Sequence, residues 1–154
     1  MNCARKLILL LPAAALLFLA AQSAPALAWE HSEAEEDWGP TCIARQGHRT
    51  GSIDIISSKG TFNPSLLISL PKYPGKTQDI TVLLRVDRGN NIRVAGAIND
   101  YFGNIELKMS RDQLDSMIKG KRLHLAIEGG PTVTATLKGS SAALRAFLRC
   151  AGAG

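Results

Sequence analysis

The chain is poor in the residues from which most active sites are built. Three histidines and three cysteines occur in 154 residues, and there is no Gly-x-Ser-x-Gly, His-Glu-x-x-His, phosphate-binding glycine loop or Cys-x-x-Cys. Nucleophile elbows, zincin sites, nucleotide loops and dithiol redox centres are thereby excluded as local motifs. Aromatic residues make up only 5%. That is too few for a platform on which single-stranded bases stack, so nucleic acid is not an expected partner. After residue 21 no apolar run approaches the roughly 20 residues needed to cross a bilayer, and no transmembrane segment is expected in the mature chain.

What is present begins with a leader. Arg5 and Lys6 precede an apolar stretch over residues 7–21 that is broken by Pro12, and two small-x-small sites follow. This is the pattern of a secretory signal peptide. Ala26-Leu27-Ala28 places the cut before Trp29; the alternative, Ala24-Pro25-Ala26, carries a proline. Residues 1–28 are therefore assigned to a signal peptide, and the alanine-rich leader points to a bacterial periplasmic or secreted protein. With Cys3 removed, Cys42 and Cys150 remain, and in an oxidising compartment they are expected to form a disulfide tying the two ends of the fold together. The alternative is a pair of free buried thiols.

Charge is unevenly placed. Residues 29–37 hold five acids and no base, and the mature chain carries 16 bases against 13 acids, which leaves 16 against 8 after Asp37. Residues 29–40 accordingly read as an acidic flexible arm, and residues 41–154 as a single basic domain. A basic exported domain has anionic envelope surfaces or acidic proteins as natural partners.

From residue 41 the dominant hydrophobic period is two, the mark of half-buried strands. It is clearest at 79–87 and 91–98, separated by a turn-forming Asp87-Arg88-Gly89-Asn90-Asn91, and recurs at 103–109, 121–128 and 132–138. Weaker strands fall near 41–46, 52–57 and 65–70, set off from the later ones by the Pro- and Gly-containing run 71–75. Ser110 with Gln113 fits a capping box, opening a helix with Leu114, Met117 and Ile118 on one stripe and a stop at Gly120. A second helix is expected after Gly139, capped by Ser140 or Ser141, with Leu144, Phe147, Leu148 and Ala151 at helical spacing and Cys150 beside them. The fold class is mainly β: an antiparallel sandwich or barrel-like domain with two short helices, one at the C-terminus.

Four short features resemble one family. Trp38-Gly-Pro-Thr-Cys42, Leu84-Arg-Val-Asp87, a strand-helix-strand passage through Gly120, and Leu137-Lys-Gly-Ser-Ser-Ala-Ala-Leu144 ahead of Cys150 look like the invasion-associated locus B family of exported bacterial proteins. The mid-chain cysteines usual in that family are missing here. The resemblance implies a β-rich exported protein linked to interactions with a host cell, and it brings no catalytic residues.

Strand alternation gathers Arg85, Arg93, Lys108, Arg122 and His124 as a basic strand face. A hairpin symmetrical about Gly89 would set Arg85 directly opposite Arg93, a like-charge pairing that favours an anionic partner. Asp54, Asp87 and Asp100 are candidate carboxylates, but each has a turn- or edge-like context in which aspartate serves the backbone. His48 is expected in a loop and His31 in the arm. Cleavage before Trp29 would create a free amine followed by Trp29, Glu30 and His31; the amine, two deprotonated amides and the imidazole form a square-planar nitrogen set suited to Cu(II) or Ni(II). No other cofactor is expected. Taken together, the residues favour a non-catalytic binding module of the bacterial envelope, with an envelope or host protein or an anionic envelope surface as partner. The alternatives are a small periplasmic enzyme and an inhibitor of a secreted hydrolase.

N-terminal sequencing of the exported protein is expected to begin at Trp29. Any other first residue removes both the proposed cut and the nitrogen set that depends on it.

Overall fold

The computed structural model describes residues 28–48, 51–70, 78–99 and 103–154. The leader up to residue 27 with Cys3, the 71–75 break and Asp100 lie outside the described residues. In chain order the elements are β1 (Glu30–Glu36), β2 (Gly39–His48), β3 (Gly51–Ser58), β4 (Ser65–Ser69), β5 (Gln78–Val86), β6 (Ile92–Asn99), β7 (Asn104–Lys108), α1 (Arg111–Lys119), β8 (Arg122–Ile127), β9 (Thr132–Thr136) and α2 (Ser140–Cys150). Among the described residues the nine strands form one open sheet in the order β1-β2-β3-β4-β7-β6-β5-β8-β9. Every pairing is antiparallel. The expected β class, the two helices and the C-terminal position of the second are all found.

Alternation sorts the two faces. Residues paired across an antiparallel ladder share a face, so the register carries one apolar layer from strand to strand. It runs through Ala44, Ile55, Leu66, Leu107, Gly96, Ile80 and their neighbours. Ile53, Ile68, Val82, Leu84, Ile105, Leu123 and Leu125 on this inner face are essentially inaccessible to water. Gly96 is required by close approach: a Cβ there would run into Leu107 Cδ2 and the Glu106 carbonyl oxygen. A methyl group would force β6 away from β7, an overpacking penalty of roughly 1 to 3 kcal/mol.

The sheet curls until its ends meet, without closing by strand pairing. Trp29 Nε1 and Gln46 Nε2 each donate to the carbonyl oxygen of Thr136 at 2.9 Å. Thus one oxygen on β9 receives side chains from the opposite end of the strand order. α1 carries the chain from β7 past β6 and β5 to β8. Its capping box is complete, with the Gln113 N–H donating to Ser110 Oγ at 3.3 Å and the Ser110 N–H donating to Gln113 Oε1 at 2.7 Å. α2 buries Ala143, Leu144, Phe147 and Leu148.

Three local expectations are corrected. The acidic stretch within 29–40 is not a free arm: Glu30–Glu36 is the edge strand β1, paired along its length with β2. Backbone ladder bonds and the burial of Trp29, 6% exposed, outweigh the charge, and Lys59 answers Glu33 at 2.5 Å. Neither Ser140 nor Ser141 caps α2; the N-cap is Gly139 at φ 82°. Ser140 sits inside the first turn, fully buried, and its Oγ donates to the Met117 carbonyl oxygen at 3.2 Å, joining α2 to α1. The backbone of His48 ends β2 rather than lying in a loop.

Cys42 and Cys150 stand at disulfide distance, with Sγ atoms 1.97 Å and Cα atoms 5.9 Å apart across 108 residues of sequence. Replacing Cys150 by serine is expected to lower unfolding free energy by roughly 2 to 5 kcal/mol. Denaturant titration of the oxidised protein and the variant measures this directly, and equal midpoints would contradict it.

Candidate functional site

The outer face of the sheet is built from the residues that alternate with the core. Over β6, β5, β8 and β9 the register places Arg93, Leu83, Ala126 and Thr132 in one row, and Arg85, His124 and Thr134 in the next. Arg122 lies opposite Thr136 in the row beyond. His124 Nδ1 is 3.2 Å from Thr134 Oγ1. Ala95 and Ala97 are exposed and Thr81 and Leu83 half-buried, so the centre of the patch carries mostly short side chains, with bases around it. The Arg85 Nε–H is shielded from water and has no acceptor among the described residues.

Arg85 does not face Arg93. The turn closes through the Gly89 N–H donating to the Val86 carbonyl oxygen at 3.0 Å, with Asp87 at φ 52°. The hairpin is therefore centred on Arg88 and pairs Arg93 with Leu83. This shifts partners by two residues, keeping both arginines on the same face while separating them. Asp87 fixes the turn from outside: its carboxylate accepts the N–H groups of Arg122 at 2.8 Å and Lys121 at 3.1 Å. The like-charge argument for an anionic partner consequently falls. Arg93 instead has Glu128 at 3.6 Å, an exposed pair of small energetic weight.

Lys108 belongs to the same face but not to the free basic group. Its Nζ donates to Glu106 Oε1 at 2.9 Å and to Ser65 Oγ at 2.8 Å, while Ser65 Oγ donates to Glu106 Oε1 at 2.7 Å. The Lys108 hydrogen bond, helped by Ser65, holds the Glu106 carboxyl below its ordinary value against the opposing effect of burial. A serine beside a lysine invites comparison with a nucleophile and its base. Here Ser65 Oγ gives its proton to Glu106 Oε1 and accepts from Lys108 Nζ, so the lysine donates to the hydroxyl and does not stand as its base. Sequence reasoning missed this trio because β4 pairs with β7 and not with the strand that follows it; only Lys108 and the alternation over 103–109 were visible.

The remaining candidates are held in structural roles. Asp54 accepts both Nε (2.8 Å) and Nη2 (2.9 Å) of Arg45, which raises the arginine pKa. Asp87 is engaged as described, so Asp54 and Asp87 each serve a separate partner and do not form a carboxylate pair. His124 has Arg85 and Thr134 as its cross-strand neighbours, neither of them a carboxylate. Glu30 lies opposite Arg45 and His31 opposite Ala44. Successive amide N–H groups of an extended strand point to opposite sides, so the planar nitrogen set on Trp29, Glu30 and His31 is not formed while β1 is paired. Binding Cu(II) there would require the start of β1 to peel away and the Trp29 indole to leave Thr136. Among the described residues no three His, Cys, Asp or Glu side chains cluster as metal ligands, and no helix is long and apolar enough to cross a membrane.

No family model matches the sequence, and no curated protein matches it. In fold the chain is similar to the crystal structure of invasion associated protein B from Bartonella henselae. The TM-score is 0.57 at 17% identity, covering 79% of this chain and 92% of that one. At this identity the likeness concerns the fold.

The Glu106 arrangement generates a pH dependence. A carboxyl whose folded pKa is depressed contributes stability that is present above its unfolded value and lost as pH falls through the folded one. Unfolding free energy is thus expected to decline below about the ordinary carboxyl value of 4.5, with the depressed Glu33 adding to the same trend. The decline should be shallower in Glu106→Gln; an identical acid limb in both proteins would show that the trio contributes nothing.

Proposed function

We propose that this chain is an exported bacterial envelope protein, belonging with the invasion-associated proteins, that acts as a non-catalytic interaction module and binds its partner on the outer face of β6, β5, β8 and β9. The observation that carries the reading is Arg85. Its shielded Nε–H lacks an acceptor on an outer face against which no helix packs among the described residues, and a shielded donor left unpaired costs about 1 to 3 kcal/mol. A partner carboxylate or phosphate that draws the guanidinium outward would give the Nε–H an acceptor and remove that cost. Arg122, Arg93 and His124 around it favour a partner with carboxylate or phosphate groups, in the envelope or on a host cell. Export is supported by the leader pattern and by the cysteine pair at disulfide distance. Fold likeness to an invasion associated protein supports the same setting.

Photo-cross-linking from the exposed Ala95 position, in cells that export the chain, is expected to give a discrete adduct in the envelope fraction. The adduct should weaken in Arg85→Ala plus Arg122→Ala. Cross-linking from Thr61, in the exposed turn between β3 and β4, serves as the comparison. Equal adducts from both positions, or none from Ala95, would overturn the assignment of this face.

A further inference from the structure

A second basic surface lies on the helices. α1 and α2 run antiparallel: Ser140, at the start of α2, donates to Met117 near the end of α1, and Arg111, at the start of α1, donates through Nη1 to the carbonyl oxygen of Ala153 beyond the end of α2. Between them runs a groove of about 360 Å³. Four bases border it, Arg111 and Lys119 from α1 and Arg145 and Arg149 from α2, against one acidic side chain, Asp115, and Gly154 also lines it beside Arg149. That acid is already held by Arg111, whose Nε is 3.2 Å from both of its oxygens. Lys119, Arg145 and Arg149 have no ion-pair partner among the described residues. Lys119 and Arg149 also fall in the last turns of their helices, where cations are favoured. The floor is apolar, formed by half-buried Ile118 and buried Leu148.

Three uncompensated cations over an apolar floor repel one another until an anion lies among them. Guanidinium groups match phosphate oxygens in paired hydrogen bonds, and the ammonium of Lys119 adds a point charge. A freely diffusing phosphate would use the cations and leave the floor wet. A phospholipid uses both, because its phosphate lies directly above the apolar glycerol and acyl shoulder, the layering on which interfacial helices depend. We propose that the groove between α1 and α2 docks the protein onto the phosphate headgroups of an anionic phospholipid surface. The site shares no residue with the outer sheet face, so it holds whether or not that face binds a partner, and the chain would meet a membrane through its helices with its strand face free.

Co-sedimentation of the full chain with vesicles tests this. Vesicles of phosphatidylglycerol in phosphatidylcholine are compared with phosphatidylcholine alone, so that apolar partitioning common to both cancels. Binding to the anionic vesicles is expected to be stronger, to weaken with salt, and to fall about thirtyfold in Arg145→Ala plus Arg149→Ala. The same loss of two charges in Arg88→Ala plus Lys138→Ala, exposed turn residues that do not line the groove, should cost clearly less binding. Lys119→Ala alone should lower it severalfold, an independent reading if the double variant is misfolded by its melting curve. Equal losses in the groove and turn pairs, or unchanged binding in Lys119→Ala, would overturn the site. Release from the vesicles by inorganic phosphate at matched ionic strength would overturn the lipid assignment in favour of a free-phosphate site.

Discussion

The bond-distance contact between Cys42 and Cys150 is the constraint on which the shape of the molecule depends. Cys42 is fully buried on the inner side of β2, and Cys150 is the last residue of α2. Their join presses the end of the C-terminal helix onto the first strands, near the seam where the curled sheet fails to close. Around it the backbone is tied twice more. The Gly60 N–H donates to the Cys150 carbonyl oxygen at 2.9 Å, and Lys59 N–H to Pro40 oxygen at the same distance. Gly152, at φ 77°, packs so closely on the backbone of Gly60 that a Cβ would lie 3.0 Å from its oxygen. The seam therefore needs no strand ladder: a covalent join, the buried face of α2 and two side chains meeting at Thr136 do the closing. In the chain-entropy account such a link acts mostly on the unfolded chain, and a loop of about a hundred residues is near the upper end of what one bond contributes.

Most of the strands were legible because each has one face in the core, which enforces a period of two. The expected spans 52–57 and 65–70 are found at Gly51–Ser58 and Ser65–Ser69, and 121–128 at Arg122–Ile127. β1 was not legible for the complementary reason. Glu-His-Ser-Glu-Ala-Glu-Glu has no apolar alternation, since an edge strand is held by its ladder and by neighbours elsewhere, here Trp29, Arg45 and Lys59. The cap of α2 was misread because serine is equally suited to capping and to bonding a neighbouring helix. The capping box of α1, which satisfies two backbone groups locally, was readable for the same reason that it forms: its geometry involves no distant residue.

The basic face divides along the same line. That Arg85, Arg93, Arg122 and His124 share a side follows from alternation alone, and a two-residue shift in register preserves it. Which of them carries free charge does not follow, because the neutralising partner of Lys108 acts together with Ser65 on a strand brought alongside by the order β4-β7. The helix groove was invisible for a further reason. Arg111, Lys119, Arg145 and Arg149 are the ordinary solvated positions of two amphipathic helices, and nothing in either stretch says that the two polar faces adjoin. Ser140 and Met117 decide that.

Charge placement then acquires a physical sense. An exposed edge strand is an invitation to pair with another chain, and charged side chains along it discourage this. Glu30, Glu33, Glu35 and Glu36 give β1 that protection, at the price of crowding like charges on one strand. Lys59 against Glu33 offsets part of the crowding. Opposite charge is thereby drawn to the β1 end of the sheet, and the bases left without partners collect at the other strands and on the helices. The same join that holds α2 to β2 seats the helix against the first strands: were the seam to open, β1 would lose its support from Thr136 and α2 its seat.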